Sequence, residues 1–453
     1  MSEYFPGEQY VKDELRALHA EGFDVSEPAA RLRAITGIAG DRAHAERNAI
    51  LATLGRLPRR SDFTYDEPSD LVAIRAARPE GPQRPVGRLS KTRLADRTRG
   101  AWLGRAAGCL LGKPCEGWHR AQIERALRAL GAWPLSDYWP VVKELPNGFV
   151  RRAWGPSDAQ GIPYPAPDDP CLKENITRMV RDDDMDYPIT GLHILESHGP
   201  SFTTAEVGKQ WLEHLPYGGV YTAERVAYRN LVNGIEPPAS ASHENPYREW
   251  IGAQIRADIW GWAVPGNPEL AAEFALRDAT LSHTKNGIYG EMFFAALLAA
   301  AFVESDLHKL IEVGLSEIPR NCRLREAVLD TVGWCDQDAN WETTWEKINT
   351  EYGHYHGVHT INNAAVVVMG LLHSRGNYEK AVTIAVMGGW DTDCNGATAG
   401  SVMGTVLGAR ALPEKWTGPL HDRISSIVTG FSDIRISELA RRTRAIQNRI
   451  IST

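Results

Sequence analysis

Two acidic clusters carry the chemistry available to this sequence. One is Arg181-Asp182-Asp183-Asp184-Met185-Asp186, which sets four carboxylates within five residues. The other is Gly388-Gly389-Trp390-Asp391-Thr392-Asp393-Cys394-Asn395-Gly396, with two carboxylates two positions apart and glycines on either side. Like charges 4 Å apart near a protein surface repel by about 4 kcal/mol. A helix dipole returns only about 1 kcal/mol to an acidic residue in its first turn, too little to hold four together. A cation among them is the simpler explanation. Hard divalent ions such as Mg²⁺ or Mn²⁺ take oxygen ligands with few bulky neighbours. The sequence predicts that the rest of the chain brings both clusters and a substrate to one point.

The elements that must do this are visible as periodic patterns. The apolar run Ala381 to Met387 leads into the second cluster, and the small-residue run Ala397 to Ala409 leads out. Gly396, Gly400, Gly404 and Gly408 recur at a four-residue spacing, as do Gly100, Gly104, Gly108 and Gly112. Residues four apart share one face of a helix. Each interior glycine costs about 1 kcal/mol against alanine, so two such stripes predict close approach of another backbone. The two helices are expected in the innermost layer, against each other, and neither has the length and apolarity of a membrane span. Glu116 follows the first stripe after Lys113-Pro114, a position where a carboxylate usually faces solvent. Apolar helical spacing follows the first acidic cluster at Ile189, Leu192, Ile194 and Leu195. His283, Gly287, Tyr289 and Gly290 fall in a turn entering the apolar run Phe293 to Val303. Glycines around Tyr289 let backbone amides approach a ligand, although an ordinary turn and cap fits equally well. His354, His356 and His359 lie close together, but no cysteine or glutamate stands at zinc-site spacing, and capping roles fit better. Asn362-Asn363 opens an expected helix from Ala364 to Leu372.

The remainder bounds the molecule. Residues 1 to 90 read as a helical extension, with a Pro/Gly-rich linker at 79–88. Arginines crowd residues 31–100 and fit a solvated or inter-domain charged face better than a phosphate-binding arm. Residues 134–175, with Trp139, Trp154, Tyr164, Asp168 and Asp169, read as a long irregular loop of the substrate-facing kind. Period-two alternation is absent and spacings of three and four dominate, so residues 91–453 are expected to be all-α. Hydrophobic residues make up 43% of 453, enough for a core, and the net charge of −7 argues against broad nucleic-acid binding. The six cysteines include no CxxC pair and read as reduced thiols of a cytoplasmic protein. The polar, acidic N-terminus does not read as a signal peptide, and the longest apolar run is too short to span a bilayer.

The order of these features resembles the ADP-ribosylglycohydrolase family, of the dinitrogenase-reductase-activating type, over roughly residues 95–430. The resemblance rests on the glycine-striped helix ending in Glu116, the Asp182–Asp184 cluster, His283, and Gly388-Gly389-Trp390-Asp391-Thr392-Asp393 before a small-residue helix. It implies an all-α multi-helix bundle, here with an N-terminal helical extension, and a binuclear Mg²⁺ or Mn²⁺ centre. It also implies hydrolysis of N- or O-glycosidic bonds to ADP-ribose. Family members typically carry Thr/Ser-Asp-Asp where this chain has Asp182-Asp183-Asp184, and Asp-Thr-Asp-Thr where it has Asp391-Thr392-Asp393-Cys394. Both flanking hydroxyls are thus replaced. A thiol is a poor Mg²⁺ ligand and an extra carboxylate a good one. Trp390 is an apparent insertion, and Cys109 stands where an aspartate is often found. These departures mark a divergent branch.

The roles implied are as follows. Asp183, Asp184, Asp391 and Asp393 ligate metal, with Asp182 a fifth ligand. Glu116, Asp183 and Asp184 form the catalytic set, with Glu116 touching metal or positioning water as general base. His283, Gly287, Tyr289 and Trp390 contact substrate. The expected activity is metal-dependent cleavage of an N-glycosidic bond to ADP-ribose or ribose. A small nucleotide or N-riboside, such as an NAD-derived metabolite, is slightly favoured over an ADP-ribosylated protein. Two rivals remain. One is a degenerate module that holds ADP-ribose without cleaving it. The other is an isoprenoid-synthase-like Mg²⁺ enzyme, suggested by the DDxxD pattern of Asp182, Asp183 and Asp186.

Overall fold

The two glycine-striped segments fold into helices Lys91–Gly112 and Thr392–Leu407, which lie antiparallel with their backbones touching. The computed structural model describes residues 7–80, 89–153, 155 and 160–451. A Cβ added to Gly100 would sit 2.3 Å from the Gly404 carbonyl oxygen, one on Gly104 2.2 Å from that of Gly400, and one on Gly108 2.0 Å from that of Gly396. The same clashes appear from the other side, at 2.1–2.3 Å. No side chain fits between helices this close, so glycine is required and its propensity cost is accepted. The pairing differs from expectation at both ends. Gly112 meets the backbone of Thr392, with a Cβ 2.0 Å from its carbonyl oxygen, and Gly408, at φ +83°, ends the second helix against Asp96. Thr392 seals the seam by donating its hydroxyl to the Gly112 carbonyl at 2.7 Å.

Helices wrap this pair on every side. The Ile436–Ile451 helix packs on the first, where Trp102 donates to Thr443 at 3.0 Å and Gln447 to Thr98 at 3.1 Å. Tyr378–Met387 and Thr360–Ser374 pack on the second. The Asn286–Ala301 helix is buried along its whole length and begins earlier than its apolar run suggests. Thr360–Ser374 also begins early, because His359 Nδ1 accepts from the Ile361 amide at 3.2 Å and caps it. Asn362 and Asn363 therefore sit inside its first turn. Strands are few and three residues long: Phe149–Arg151 pairs in parallel with Ile162–Tyr164, and Arg423–Ser425 antiparallel with Asp433–Arg435. Runs of three are too short to show alternation. The first pair lies in the 134–175 segment, whose Trp139 and Tyr164 are buried, while Trp154 lies outside the described residues.

Helices Glu8–Ala20, Ser26–Ala34 and Asp41–Thr53 enclose a small core of their own, built on Tyr10, Val11, Leu15, Leu32 and Ile50. Ion pairs tie this region to the rest: Glu21 to Arg248 at 2.6 Å, Glu67 to Arg323 at 2.7 Å, and Arg78 to Glu317 at 2.7 Å. Part of the arginine-rich stretch thus faces acidic residues of the main body. Most of the segment read as a linker, residues 81–88, lies outside the described residues. Among the described residues no helix is long and apolar enough to cross a membrane.

The seam yields a paired prediction. Gly104→Ala should lower stability by at least about 3 kcal/mol, since its Cβ meets backbone that cannot move aside. Gly333→Ala, in the Arg323–Gln337 helix with nothing within 4 Å of its added Cβ, should raise stability by about 0.5–1 kcal/mol. Urea unfolding of the two variants beside the parent checks both.

Candidate functional site

The seam delivers the acidic residues to one end of the helix pair. Asp391 stands at the N-cap position of Thr392–Leu407, yet its side chain makes no capping hydrogen bond. Asn363 holds the motif instead: its Oδ1 accepts from the Asp391 amide at 3.2 Å and from Asn395 Nδ2 at 2.8 Å, and its own amide donates to the Gly357 and His359 carbonyls. Glu116 follows the short turn Lys113–Cys115 that ends the first glycine helix. Its loop is clamped to the second motif by backbone pairing, with the Trp390 amide donating to Trp118 and the Gly117 amide to Trp390, both at 2.8 Å. Gly389, at φ +82°, has no room for a Cβ beside Trp118 and Arg120, and Trp390 takes a left-handed φ of 63°. A non-glycine residue in this region is strained. Here the strain aligns the inserted tryptophan against Trp345, ring centres 6.0 Å apart. As a result, Glu116, Asp391 and Asp393 each offer a carboxylate oxygen within 4.8 Å of the others.

The first cluster begins the Asp183–His198 helix. Asp182 is its N-cap, accepting from the Asp184 amide at 3.0 Å, and its other oxygen accepts from the Lys113 ammonium. Asp184 is buried, with one oxygen bonded to Arg105 at 2.8 Å and the other to the Cys394 thiol at 3.1 Å. The fully buried Arg105 also donates to Asp258 at 2.6 Å and to the carbonyls of Asp184 and Ile255. Asp183 is half-buried beside them. Asp186 turns away, accepting from Arg181 at 2.8 Å, Ser426 at 2.6 Å and the Ile427 amide at 3.1 Å. It serves the scaffold, so the DDxxD reading loses its third carboxylate.

The electrostatics follow from this crowding. Glu116 is exposed, as its place past a helix end suggests, and the neighbouring Asp393 charge holds its carboxyl well above its usual range. Burial first, and neighbouring carboxylates next, raise Asp183 and Asp391 in the same sense. Burial, with Asp182 adding to it, pushes Asp393 up to about 6. Asp182 goes the other way: burial opposes its charge, but the Lys113 ammonium overcomes that and holds it below the usual range. Groups that resist ionisation together are those a dication would stabilise. The residues present fit a metal on one further observation, since Asp393 Oδ1 is buried and has no hydrogen-bond partner. Two more groupings meet the same spacing, Cys109 with Asp182 and Asp184, and Asp184 with Asp393 and Cys394.

Other expected site residues lie in different surroundings. His283 is fully buried, with Ser282 Oγ at 2.8 Å from its Nδ1 and Glu224 at 3.9 Å. Gly287 is filled by protein, a Cβ there meeting the Arg248 carbonyl at 2.6 Å, and the Tyr289 hydroxyl donates to the Pro68 carbonyl. His354, His356 and His359 form no metal grouping among the described residues; the ring of His356 stacks on Trp250 at 4.2 Å and that of His359 on Tyr355 at 4.4 Å. Sequence reasoning missed Arg105, Lys113 and Asn363. The available signal for the first was a charge inside the small and apolar residues of a glycine-striped helix.

The body is all-α, with a group of carboxylates at the end of a helix pair. A family model described as ADP-ribosylglycohydrolase matches residues 90–449, and the chain belongs to that family, whose members hydrolyse glycosidic bonds and are generally metal-dependent. A solved structure described as an ADP-ribosylglycohydrolase-related protein complex is similar at 19% identity and a TM-score of 0.48, covering 79% of this chain and 99% of that one. No curated protein matches.

The buried His359 beside the Asn363 clamp makes a pH prediction. Burial lowers it to about 3, from 6.5. It is neutral in the fold, so the unfolded chain takes up its proton first as pH falls. Its contribution is therefore intact above about 6.5 and is lost towards pH 4, at about 1.4 kcal/mol per pH unit. His359→Asn keeps a capping acceptor and should flatten the decline in stability between pH 6.5 and 4, measured by denaturant unfolding across that range.

Proposed function

We propose that this chain is a divalent-metal-dependent N-glycosidase acting on an ADP-ribosyl or ribosyl substrate, with residues 91–453 as its catalytic domain and 1–90 as an extension. The observation that carries the reading is the convergence of Glu116, Asp391 and Asp393 around a buried, unpartnered carboxylate oxygen. Asp391, Asp393 and Asp183 would hold the metal, with Glu116 at its rim. When bound, a divalent ion of this type grips vicinal ribose hydroxyls and lowers the pKa of water. The protein supplies the rest. Glu116, in its ionised form, would take the proton from the water that attacks the anomeric carbon, while the carbon–nitrogen bond breaks and the leaving nitrogen departs with the bonding electrons and is protonated. The attacked carbon passes through an oxocarbenium-like state, which the surrounding carboxylates stabilise. Trp390, packed on Trp345 and tied by its backbone to Trp118, is buried beside Asp391 and would line the site on the side where a base binds.

Within this reading a small nucleotide or N-riboside is favoured over an ADP-ribosylated protein. The apparent insertion of Trp390 and the aromatic 134–175 segment tilt the reading towards the small molecule. The six cysteines, all free thiols, support a reducing, cytoplasmic location. The second reading, an ADP-ribose-binding module without turnover, draws on Asp184, both of whose oxygens are already engaged.

The test is direct. Asp391→Asn and Asp183→Asn should each lower turnover of an ADP-ribosyl substrate by more than about 100-fold, with circular dichroism unchanged. EDTA should abolish the parent's activity. Mg²⁺ or Mn²⁺ at a hundredfold excess over its Kd should add about 2.7 kcal/mol of stability, seen as a raised melting temperature. Full activity in EDTA would sink the metal assignment. Tight ADP-ribose binding with no hydrolysis of any N-riboside would favour the binding module.

A further inference from the structure

We propose that Lys113 stands in for one of the two metal ions that such a carboxylate cluster invites, so that the site holds a single divalent ion. This rests on the metal-dependent reading above and concerns its stoichiometry. Five carboxylates gather at the end of the glycine seam: Glu116, Asp182, Asp184, Asp391 and Asp393. They divide into two halves with different company. In the first half, Asp182 has one oxygen on the Lys113 ammonium and the other on the Asp184 amide. Asp184 has one oxygen on Arg105 and the other on the Cys394 thiol. Every oxygen of that pair is answered by a protein donor, two of them permanently charged. In the second half, Glu116, Asp391 and Asp393 lie within 4.8 Å of one another, and Asp393 Oδ1 has no donor. The first half is neutralised from within and the second is left for a cation.

Lys113 is not an incidental neighbour. It immediately follows Gly112, whose backbone is pressed against Thr392, and precedes Pro114 in a tight turn. Its stem therefore leaves the seam at one fixed place, between the two acidic motifs. Its side chain is 27% exposed while Asp182 is 1% exposed, so the ammonium plugs the cluster from the solvent side. Asp182 adds a third carboxylate to Asp183 and Asp184, and the lysine meets its negative charge. The second motif's Cys394, a poor ligand for a hard ion, serves as a donor to Asp184. A second dication placed between Asp182 and Asp184 would face the ammonium and the buried Arg105 guanidinium at close range, where burial weakens screening.

The experiment counts ions in the full-length protein. Mn²⁺ is titrated into metal-free protein, with stoichiometry read by calorimetry and spin coupling by electron paramagnetic resonance. The expected result is one Mn²⁺ per chain with an uncoupled spectrum, rising to two coupled ions in Lys113→Met. Two ions in the parent would overturn the proposal and leave the metal-dependent function standing. A count of zero would overturn both. A count of one in a folded Lys113→Met would show that the lysine is not what excludes the second ion, and would also overturn the proposal. If that variant does not fold, the parent's count decides alone.

Discussion

The contact between two bare helix backbones sets the geometry of everything else. Three glycine pairs bring Lys91–Gly112 and Thr392–Leu407 so close that carbonyl oxygens occupy the space side chains would take. Because the helices are antiparallel, the end of one lies beside the start of the other. That is where Gly112 meets Thr392, and where the chain places Lys113 and Glu116 on one side and Asp391 and Asp393 on the other. These carboxylates need no long loops to reach each other. Their separation is fixed by a main-chain contact that cannot be relaxed by a rotamer change, so the carboxylates are preorganised by the core itself.

Crowding charge at a buried point is costly unless each ion is matched. The fold answers with cations drawn from the same seam. Arg105 and Lys113 both come from the first glycine helix or its end, and each reaches an aspartate of the Asp183–His198 helix or its cap. Arg181 performs a similar task outside the cluster, binding Asp186 and the Gly219 carbonyl. The pattern continues between the N-terminal helices and the main body, where Glu21, Glu67 and Arg78 meet Arg248, Arg323 and Glu317. Removing one member of a buried pair of this kind commonly costs 3–5 kcal/mol, because its partner is left uncompensated.

The parts legible from the sequence were those with a local signature. A glycine every four residues announces a close helix contact, and it did so on both strands of the seam. The absence of alternation announced an all-α body, and the density of aspartates announced a charged centre. What stayed hidden depended on partners distant in the chain. Asp186 looked like its neighbours until Ser426 and Ile427, some 240 residues on, claimed it. Arg105 and Lys113 could not be matched to Asp184 and Asp182 by spacing, being 79 and 69 residues away. Asn363 read as a helix opener, but His359 takes that role and frees the amide to hold Asp391. His283, Gly287 and Tyr289 read as a turn from the sequence, but Gly287 and Tyr289 fall inside the Asn286–Ala301 helix, and Ser282, the Arg248 carbonyl and the Pro68 carbonyl stand against the three residues.

The seam also governs where this chain can change length. Consecutive residues of a helix point about 100° apart. Deleting one residue inside Lys91–Gly112 would swing every glycine beyond the cut off the contact face and turn a bulkier neighbour into the gap. Segments such as 134–175 carry no helical phase of their own; Tyr138 ties this one to the pair by donating to the Ala107 carbonyl at 3.4 Å. Insertions between such anchors can accumulate while the glycine contact keeps its spacing.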